Sequence, residues 1–481
     1  MNLLISMYSN LKSCVLTKEG LTEAFETIIG TRQGCMLSPM LFNIYLNELI
    51  DQCSTDGCEG VFVSEEYPNV MLLLYADDAT QGTDTVGRLQ KLLNSLSVYS
   101  KKWGLDVNIN KSKIMVFRNG GTLRKNEKWY YNKTKVEIVP RFKYLGIMFS
   151  SRLAWSVAQR TLAEQAGKGI CIIKQIAKKC GGLDFHMYFN LFDKMILPIL
   201  TYGAEIWGFE TKESIERIHT KYCKYVLGVP WSTANPAVYG ECGRLPIKVI
   251  ALTKCIKYWV KLIEMPQERL AKATYTMLYN LTESGRNTWA SNIKMILFTF
   301  GFGEAWMQQQ VGNYDNFVAI FHQRVTDCAH QDWTSSLRSK KSLKYFSSFK
   351  QTVLKETYLE SIYSFKLKRA LAKFRCGVLF NKYKKVGECA TDDNVMRYKE
   401  LCKWCLKEHN KEIGNDEYHI FYECTLYTNL REEYLPKYFH KHPNIIKFIE
   451  LMKTQNITLL REIALFIYLC LNKYEVFLKN I

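Results

Sequence analysis

The sequence lacks any apolar run near the roughly 20 residues that a membrane-spanning helix needs, and runs such as 463–471 are far shorter. Its first residues lack the basic stretch and the small-residue cleavage site of a signal peptide. No internal repeat or low-complexity tract stands out. We therefore expect a soluble, intracellular protein with no membrane partner, and nothing in the sequence separates nucleus from cytoplasm.

Acidic residues are too few to balance the basic ones. The 481 residues include 65 Lys and Arg against 46 Asp and Glu, which gives a net charge of +19. Such an excess favours a polyanionic partner, of which nucleic acid is the commonest, although a solvated basic surface is the alternative. The hydrophobic content of 47% indicates a globular chain, and its length suggests about three units. The 16 scattered cysteines favour reduced thiols over a disulfide framework.

The first part of the chain mixes strands, turns and helices. Residues 71–75 have the length and apolar character of a strand, and an acidic pair follows them. An amphipathic helix comes next, with Thr83 or Asp84 able to cap its start and Gly104 placed to end it.

The remainder of the chain is predicted to be mostly helical. Strand-like runs at 105–109 and 113–117 and a hairpin at 141–149 come first. From about 155 to 385 the pattern is helical, and an amphipathic helix at 459–478 closes the chain.

The acidic pair Asp77 and Asp78 follows an apolar strand and therefore lies at the tip of a hairpin. Adjacent carboxylates repel each other unless a cation lies beside them, and Mg²⁺ prefers carboxylate and phosphate oxygens. Two-metal phosphoryl transfer needs carboxylates in such a position. A bare Asp-Asp pair is more often an ordinary solvated turn, so its neighbours must decide between the two interpretations.

A basic, glycine-containing loop at 30–39 precedes an apolar helical run. Ser38 is the candidate N-cap of that helix, and Pro39 suits its first position. The glycines of such a loop let the backbone approach a nucleotide or a template strand closely.

These stretches have the order and spacing of a reverse-transcriptase palm. The chain resembles an N-terminally truncated reverse transcriptase of a non-LTR (LINE-type) retrotransposon. The matching stretches are 32–42 (motif B), 75–78 (motif C), 104–113 (motif D), 142–146 (motif E), 197–208 (thumb) and 239–246 (a further element of that family).

The resemblance implies roles for residues in each motif. Asp77 would bind catalytic Mg²⁺ (or Mn²⁺), with Asp78 assisting, and Lys111 or Lys113 would protonate or neutralise the leaving pyrophosphate unless both are solvated surface charges. An RNA template, a DNA primer or target and dNTPs would be the partners. The nucleotide and template residues would be Arg32, Gln33, Gly34, Tyr75 and Ala76, and the primer grip would be Phe142, Lys143, Tyr144, Leu145 and Gly146.

The family palm also needs an earlier aspartate, in motif A, on a strand beside the acidic hairpin. Only residues 1–30 precede motif B, and their acids Glu19, Glu23 and Glu26 lie in a hairpin-like stretch that fits no such strand. Without that carboxylate both metals lose a bridging ligand, and we expect the chain alone to be inactive. The alternatives are a catalytically dead nucleic-acid-binding remnant and, more weakly, a protein like a group II intron maturase.

A cysteine-histidine pattern lies near the C-terminus. Cys402 and Cys405 have the spacing that places two thiolates on one tetrahedral Zn²⁺, and His419 with Cys424 can complete the site. His409 is a rival ligand, Cys389 is a more remote one, and buried or surface thiols without metal are the alternative. Non-LTR enzymes carry a similar element near the C-terminus, and the resemblance therefore favours zinc.

A basic segment with interleaved aromatic side chains lies between the helical region and the cysteines. Basic residues can contact phosphates and exposed aromatics can stack on bases, so we expect template-RNA or target-DNA contact, although aromatics at helical spacing are more often core. The basic residues are Arg338, Lys340, Lys341, Lys344, Lys350, Lys355, Lys366, Lys368, Arg369, Lys373, Arg375, Lys382, Lys384 and Lys385.

The predicted fold class is α+β. A partial right-hand polymerase palm is followed by a mostly α-helical thumb and a C-terminal region with a small zinc-binding element. The expected divisions are 1–150 (partial palm), 151–250 (helical thumb), 251–390 (helical, basic, nucleic-acid-binding), 391–430 (zinc element) and 431–481 (C-terminal helical segment).

Overall fold

The computed structural model describes residues 2–9, 11–27, 30, 34–118, 120–379 and 401–479. The chain forms two compact units. The first comprises Met1–Phe142 with Gln267–Met277, and the second comprises Lys143–Pro266 with Leu278–Ile481. The chain is mixed α/β and mostly helical, and the strands that the structure describes lie in the first 150 residues.

The first unit combines helices with short two-stranded ladders, most of them antiparallel. One ladder pairs Lys12–Ser13 with Phe25–Glu26, and another pairs Leu16–Thr17 with Gly20–Leu21, which confirms the hairpin-like stretch predicted there. Its helices are Asn2–Tyr8, Ser38–Thr55 and Val86–Trp103, and its remaining strands are Leu72–Tyr75, Asp78–Gln81, Lys113–Ile114, Tyr130–Tyr131, Thr134–Lys135, Glu137–Ile138 and the first part of Arg141–Tyr144.

One core of this unit lies between helices Ser38–Thr55 and Val86–Trp103. Leu49 from the first and Leu92 from the second are fully buried with Met71 and Leu72, which precede the acidic turn. Burying such side chains stabilises the unit by about 1.5–3 kcal/mol each. The strand that carries the acidic pair is thereby fixed to both helices.

The sequence predicts the end of helix Val86–Trp103 correctly and its start incorrectly. Gly104 ends it with φ of 64°, a left-handed conformation that glycine adopts without strain. Thr85, not Thr83 or Asp84, is the N-cap, because its side chain accepts a hydrogen bond from the Arg88 amide.

A second core of the first unit packs Trp129 and Tyr131 against the outer face of the same helix. Trp129 donates its indole N–H to the Val86 carbonyl at 2.9 Å. Strand Lys113–Ile114 pairs in parallel with Glu137–Ile138. The predicted strand at 105–109 is wrong, since those residues form no ladder, and the one predicted at 113–117 is reduced to two residues.

Where it is described, the second unit is helical apart from the hairpin strands, the end of Arg141–Tyr144 and Ile147–Ser150, in agreement with the helical pattern predicted from about 155. Its helices and helical turns are Trp155–Lys179, Phe185–Leu191, Phe192–Ile196, Leu197–Leu200, Ala204–Trp207, Glu213–Leu227, Asn235–Cys242, Ile247–Glu264, Leu270–Glu283 (which begins in the first unit), Trp289–Thr299, Gly303–Gln308, Tyr314–Arg338, Lys341–Leu343, Lys344–Phe349, Tyr358–Ser361, Phe365–Arg375, Lys403–His409, His419–Glu423, Thr425–Tyr427, Thr428–Tyr434, Lys437–His440, Ile445–Lys453 and Ile457–Lys479.

One continuous core runs through the second unit, from Leu162 to Tyr474. Phe421 lies between Phe374 and Phe466, with ring centroids 5.6 Å and 4.9 Å away. The cysteine-histidine segment is therefore built into the same core as the earlier helices. No single helix in the described ranges is long and apolar enough to cross a membrane, although Ile445–Lys453 and Ile457–Lys479, bent by 115° where they meet, pass that test together.

Candidate functional site

The acidic pair lies at the tip of a tight hairpin, with Asp77 in the two-residue turn and Asp78 at the start of the second strand. Strands Leu72–Tyr75 and Asp78–Gln81 pair in antiparallel register, with Tyr75 opposite Asp78 and Leu74 opposite Ala79. Ala76 has a φ of 51°, the positive value that a two-residue hairpin turn requires at its first central position. Alternation along the strand buries Leu72 and exposes Tyr75, so the core holds the strand while the turn projects outward.

Both aspartates are exposed, and neither forms an ion pair with any residue that the structure describes. Adjacent carboxylates in solvent suit a hard cation such as Mg²⁺, which keeps several waters and accepts one or two protein carboxylates together with substrate phosphates. Within the described ranges, no group of three or more acidic, cysteine or histidine ligands includes Asp77 or Asp78. Asp77 and Asp78 therefore offer two carboxylates, and no third carboxylate among the described residues is grouped with them.

The loop before helix Ser38–Thr55 is described only in part. Arg32 and Gln33 lie outside the described residues, and Gly34 takes φ of 80°. The prediction that Ser38 caps the helix is wrong, because Leu37 holds the cap position without a side-chain bond and Ser38 begins the helix. The Ser38 hydroxyl instead lies 3.2 Å from the Tyr8 hydroxyl.

Cys35 is held in the same loop. Hydrogen bonds from Ser38 and Tyr8 lower the pKa of the Cys35 thiol to about 6, and Tyr8 Oη lies 3.2 Å from its Sγ. The loop that leads into this helix therefore carries an accessible thiolate at neutral pH.

The two candidate lysines differ in their surroundings. Lys113 forms an ion pair with Glu137, in which Lys113 Nζ lies 2.7 Å from Glu137 Oε2. The carboxylate of Glu137 therefore balances the charge of Lys113. Lys111 is exposed, and only its backbone amide is bonded, to Asn108. Neither lysine forms an ion pair with Asp77 or Asp78 where the chain is described, and of the two only Lys111 has an uncommitted charge.

The hairpin predicted to be the primer grip has a two-residue turn, and a tyrosine from later in the chain contacts that turn. Strands Arg141–Tyr144 and Ile147–Ser150 flank Leu145 and Gly146, whose φ values are 46° and 83°. The Tyr202 hydroxyl donates to the Leu145 carbonyl at 2.8 Å. A Cβ on Gly146 would lie 3.0 Å from the Tyr202 ring. The tyrosine of the thumb-like stretch thus positions this turn.

The four predicted zinc ligands lie together. Their ligand atoms are all within 4.8 Å of one another, and all four residues are buried. Cys424 Sγ lies 3.8 Å from Cys402 Sγ and 3.9 Å from Cys405 Sγ, and Cys405 Sγ lies 3.5 Å from His419 Nε2. A tetrahedral zinc with Zn–S bonds of about 2.3 Å requires S···S edges of about 3.8 Å. The donor set therefore fits Zn²⁺.

Neighbouring side chains orient the histidine. His419 Nδ1 lies 3.2 Å from Glu423 Oε2, which leaves Nε2 to face the thiols. Hydrogen bonding from Cys424 lowers the pKa of the Cys402 thiol to about 4, toward the thiolate that binds metal. His409 is exposed and bonds to Thr425 instead, and Cys389 lies outside the described residues.

Two cations of the basic segment, Lys350 and Arg375, are buried in ion pairs and are not available to contact nucleic acid, and contact by the other cations stays a prediction. Arg375 is buried, and its Nε donates to the carboxylate of the fully buried Glu241 at 2.9 Å. Lys350 is buried against Glu356, which also pairs with Arg375. Of the aromatics, Phe346, Phe349, Tyr358 and Phe374 are core residues. Lys382, Lys384 and Lys385 lie outside the described residues.

Sequence reasoning missed several supporting residues. Glu423 follows His419 by four residues, a helical spacing that could have marked it as a partner. Glu241 gave no such signal, because Arg375 is 134 residues away.

Comparison with known proteins finds a family match in the first part of the chain. Residues 4–149 match the family model described as reverse transcriptase (RNA-dependent DNA polymerase). The RNA-directed DNA polymerase from mobile element jockey of Drosophila melanogaster is 22% identical over 42% of this chain and 22% of that protein. The probable RNA-directed DNA polymerase from transposon X-element of the same organism is 22% identical, over 51% of this chain and 26% of that protein.

A third relative extends the comparison to another insect. The retrovirus-related Pol polyprotein from type-1 retrotransposable element R1 2 of Nasonia vitripennis is 21% identical over 48% of this chain and 57% of that protein. The chain spans about a quarter of the length of the two Drosophila proteins.

Proposed function

We propose that this chain, which carries a reverse-transcriptase domain of the non-LTR retrotransposon type at residues 4–149, is part of an RNA-directed DNA polymerase. The reaction would add dNTPs to a primer 3′-OH on an RNA template. The observation that carries the proposal is the acidic hairpin, which lies inside the matched region and projects Asp77 and Asp78 from a core-anchored strand.

We assign the residues of the first unit and the adjoining hairpin to the roles that the family requires. Asp77 and Asp78 would hold Mg²⁺, which when bound supplies charge stabilisation to the reacting phosphates. Tyr75 is exposed beside them and would line the nucleotide and the primer end, with Arg32, Gln33 and Gly34 toward the template. Lys111 is a better candidate than Lys113 for the leaving pyrophosphate, because Glu137 already neutralises Lys113.

The hairpin at Leu145 and Gly146 would act as the primer grip, supported by Tyr202. On this assignment residues 1–150 form a partial palm and 151–250 a thumb. The basic helical region, the zinc element and the terminal segment follow at 251–390, 391–430 and 431–481.

The polypeptide of residues 1–481 would not polymerise by itself. Two-metal transfer needs a further carboxylate to bridge both ions, and the described residues group none with the acidic turn. The second candidate function is a nucleic-acid-binding protein without catalysis, which the net charge of +19 favours.

A primer-extension assay tests both functions. The 481-residue protein is incubated with a primed homopolymer RNA template, the matching dNTP and Mg²⁺ or Mn²⁺. We expect template-primer binding and no incorporation. Incorporation that disappears in Asp77→Ala would instead establish an active polymerase, and failure to bind template-primer would count against both functions.

We also propose that Cys402, Cys405, His419 and Cys424 hold one Zn²⁺. Their burial and tetrahedral spacing support a closed structural site, since catalytic zinc keeps one position open. Zinc there would stabilise the C-terminal part of the second unit, because Cys402 and Phe421 belong to its continuous core.

A further inference from the structure

Arg431 is a buried cation beside the four proposed zinc ligands. It lies in helix Thr428–Tyr434, and only 8% of the residue is exposed. Its Nε donates to the Phe421 carbonyl at 2.7 Å, and its Nη2 donates to the Cys424 carbonyl at 3.0 Å. The guanidinium therefore holds the backbone of the turn that joins His419 to Cys424.

The two hydrogen bonds of Arg431 supply no negative charge. Both acceptors are neutral carbonyls, and Arg431 forms no ion pair with any residue in the described ranges. The carboxylate of its neighbour Glu432 attracts it, but that side chain is exposed, so water screens the attraction. A charge removed from water is costly unless an opposite charge lies close to it. The charge of Arg431 is therefore uncompensated unless a buried anion lies nearby.

Other ionisable groups near Arg431 are a tyrosine and two cysteines. They are Tyr422, Cys470 and Cys424. Burial raises the pKa of the Cys470 thiol, and the buried phenol of Tyr422 is neutral as well, so neither carries a charge at neutral pH. Cys424 differs from them because it is a proposed metal ligand, and a thiol bound to zinc loses its proton.

The zinc-loaded cluster would supply the missing anion. Three thiolates exceed the charge of one Zn²⁺, so a site of three cysteines and one neutral histidine carries one excess negative charge. That charge would be buried, because all four ligands are buried. The other cations of the ligand segment do not reach it from inside the core, since Lys407 and Lys411 are exposed and Lys403 is only half-buried.

We propose that Arg431 is the counter-ion of the Cys402, Cys405, His419 and Cys424 cluster, an inference that rests on the zinc binding proposed above. The buried cation and the buried anionic site offset each other, so neither is left as a lone charge in the core. Arg431 thereby favours three thiolates at this site, because two cysteines and two histidines would leave its own charge unmatched.

Competition for zinc against a chromogenic chelator, measured on the full chain, tests the pairing. Arg431→Gln removes the charge and should weaken zinc binding by about 10- to 100-fold, the usual range for loss of an outer contact. Arg431→Lys keeps the charge and should restore most of the affinity. Lys411→Gln is the matched control and should leave the affinity unchanged, because Lys411 is exposed although its amide bonds to the Cys405 carbonyl at 3.1 Å.

A change in the ligand set separates the charge of Arg431 from its support of the backbone. Cys402→His replaces one thiolate by a neutral imidazole, so the zinc-loaded cluster would carry no net charge. In that background Arg431→Gln should cost about tenfold less zinc affinity than in the wild-type chain, because the cation has no anion left to neutralise. Equal losses in the two backgrounds would show that Arg431 only supports the backbone and would overturn the proposal.

The outcomes distinguish this proposal from the zinc site on which it rests. A wild-type chain that binds no zinc would overturn both, whereas zinc binding that Arg431→Gln leaves unchanged would overturn the counter-ion alone. If Cys402→His binds no zinc, the lysine variant decides, since equal losses in Arg431→Lys and Arg431→Gln would contradict a role for the charge. Nucleic acid, Mg²⁺ and dNTPs are omitted, so the polymerase proposal does not affect the result.

Discussion

The cluster of Cys402, Cys405, His419 and Cys424 allows the sharpest prediction from geometry. Glu423→Gln weakens the acceptor that orients His419 while leaving all four ligands in place. Loss of such an outer contact typically reduces metal affinity 10- to 100-fold, which corresponds to about 1.4–2.7 kcal/mol. The shortest ligand distances, 3.5 to 3.9 Å, already match a tetrahedral site, so no rearrangement of the chain should offset this loss.

The assay is competition for zinc against a chromogenic chelator, with metal content measured after purification. We expect one zinc per wild-type chain, weaker retention in Glu423→Gln and no zinc in His419→Ala. His409→Ala is the matched control, because His409 is exposed and bonded to Thr425. Zinc retained in His419→Ala and lost in His409→Ala would refute the ligand assignment.

Two further predictions concern a buried charge and an activated thiol. Arg375→Met removes the cation beside Glu241 and should lower the free energy of unfolding by about 3–5 kcal/mol, measured by urea titration; a change below about 1 kcal/mol would show that the pair is unimportant. Alkylation of Cys35 by iodoacetamide should rise through a midpoint near pH 6, because its lowered pKa makes the thiolate available above that pH. Ser38→Ala should move the midpoint upward, and an unmoved midpoint would contradict the assigned cause.

Sequence alone predicts features that local chemistry determines. The acidic hairpin and the hairpin at 141–149 follow from short apolar runs around turn residues, and both are present. Gly104 ends its helix because glycine alone adopts the left-handed conformation there without strain. Thr85 caps its helix in place of Thr83 or Asp84 because neighbouring hydroxyls and carboxylates can compete for the same amides, whereas at the other helix Leu37 holds the cap position without any side-chain bond.

Sequence alone does not predict features that depend on contacts between residues far apart in the chain. His409 and His419 are both candidate ligands by sequence, and only packing shows that His419 is buried beside the thiols while His409 is exposed. The sequence predicts Arg375 to be a phosphate-binding cation. In the structure Glu241, which is far away in the chain, neutralises it.

On the proposed assignment, Asp77 and Asp78 supply part of a two-metal site and not the whole of it. Electron paramagnetic resonance of Mn²⁺ titrated into the zinc-loaded protein, without nucleic acid, measures how many ions bind there and how tightly. We expect one weakly bound Mn²⁺ that is lost in Asp77→Asn with Asp78→Asn. Two tightly bound, spin-coupled Mn²⁺ ions, or binding that survives both substitutions, would refute the assignment.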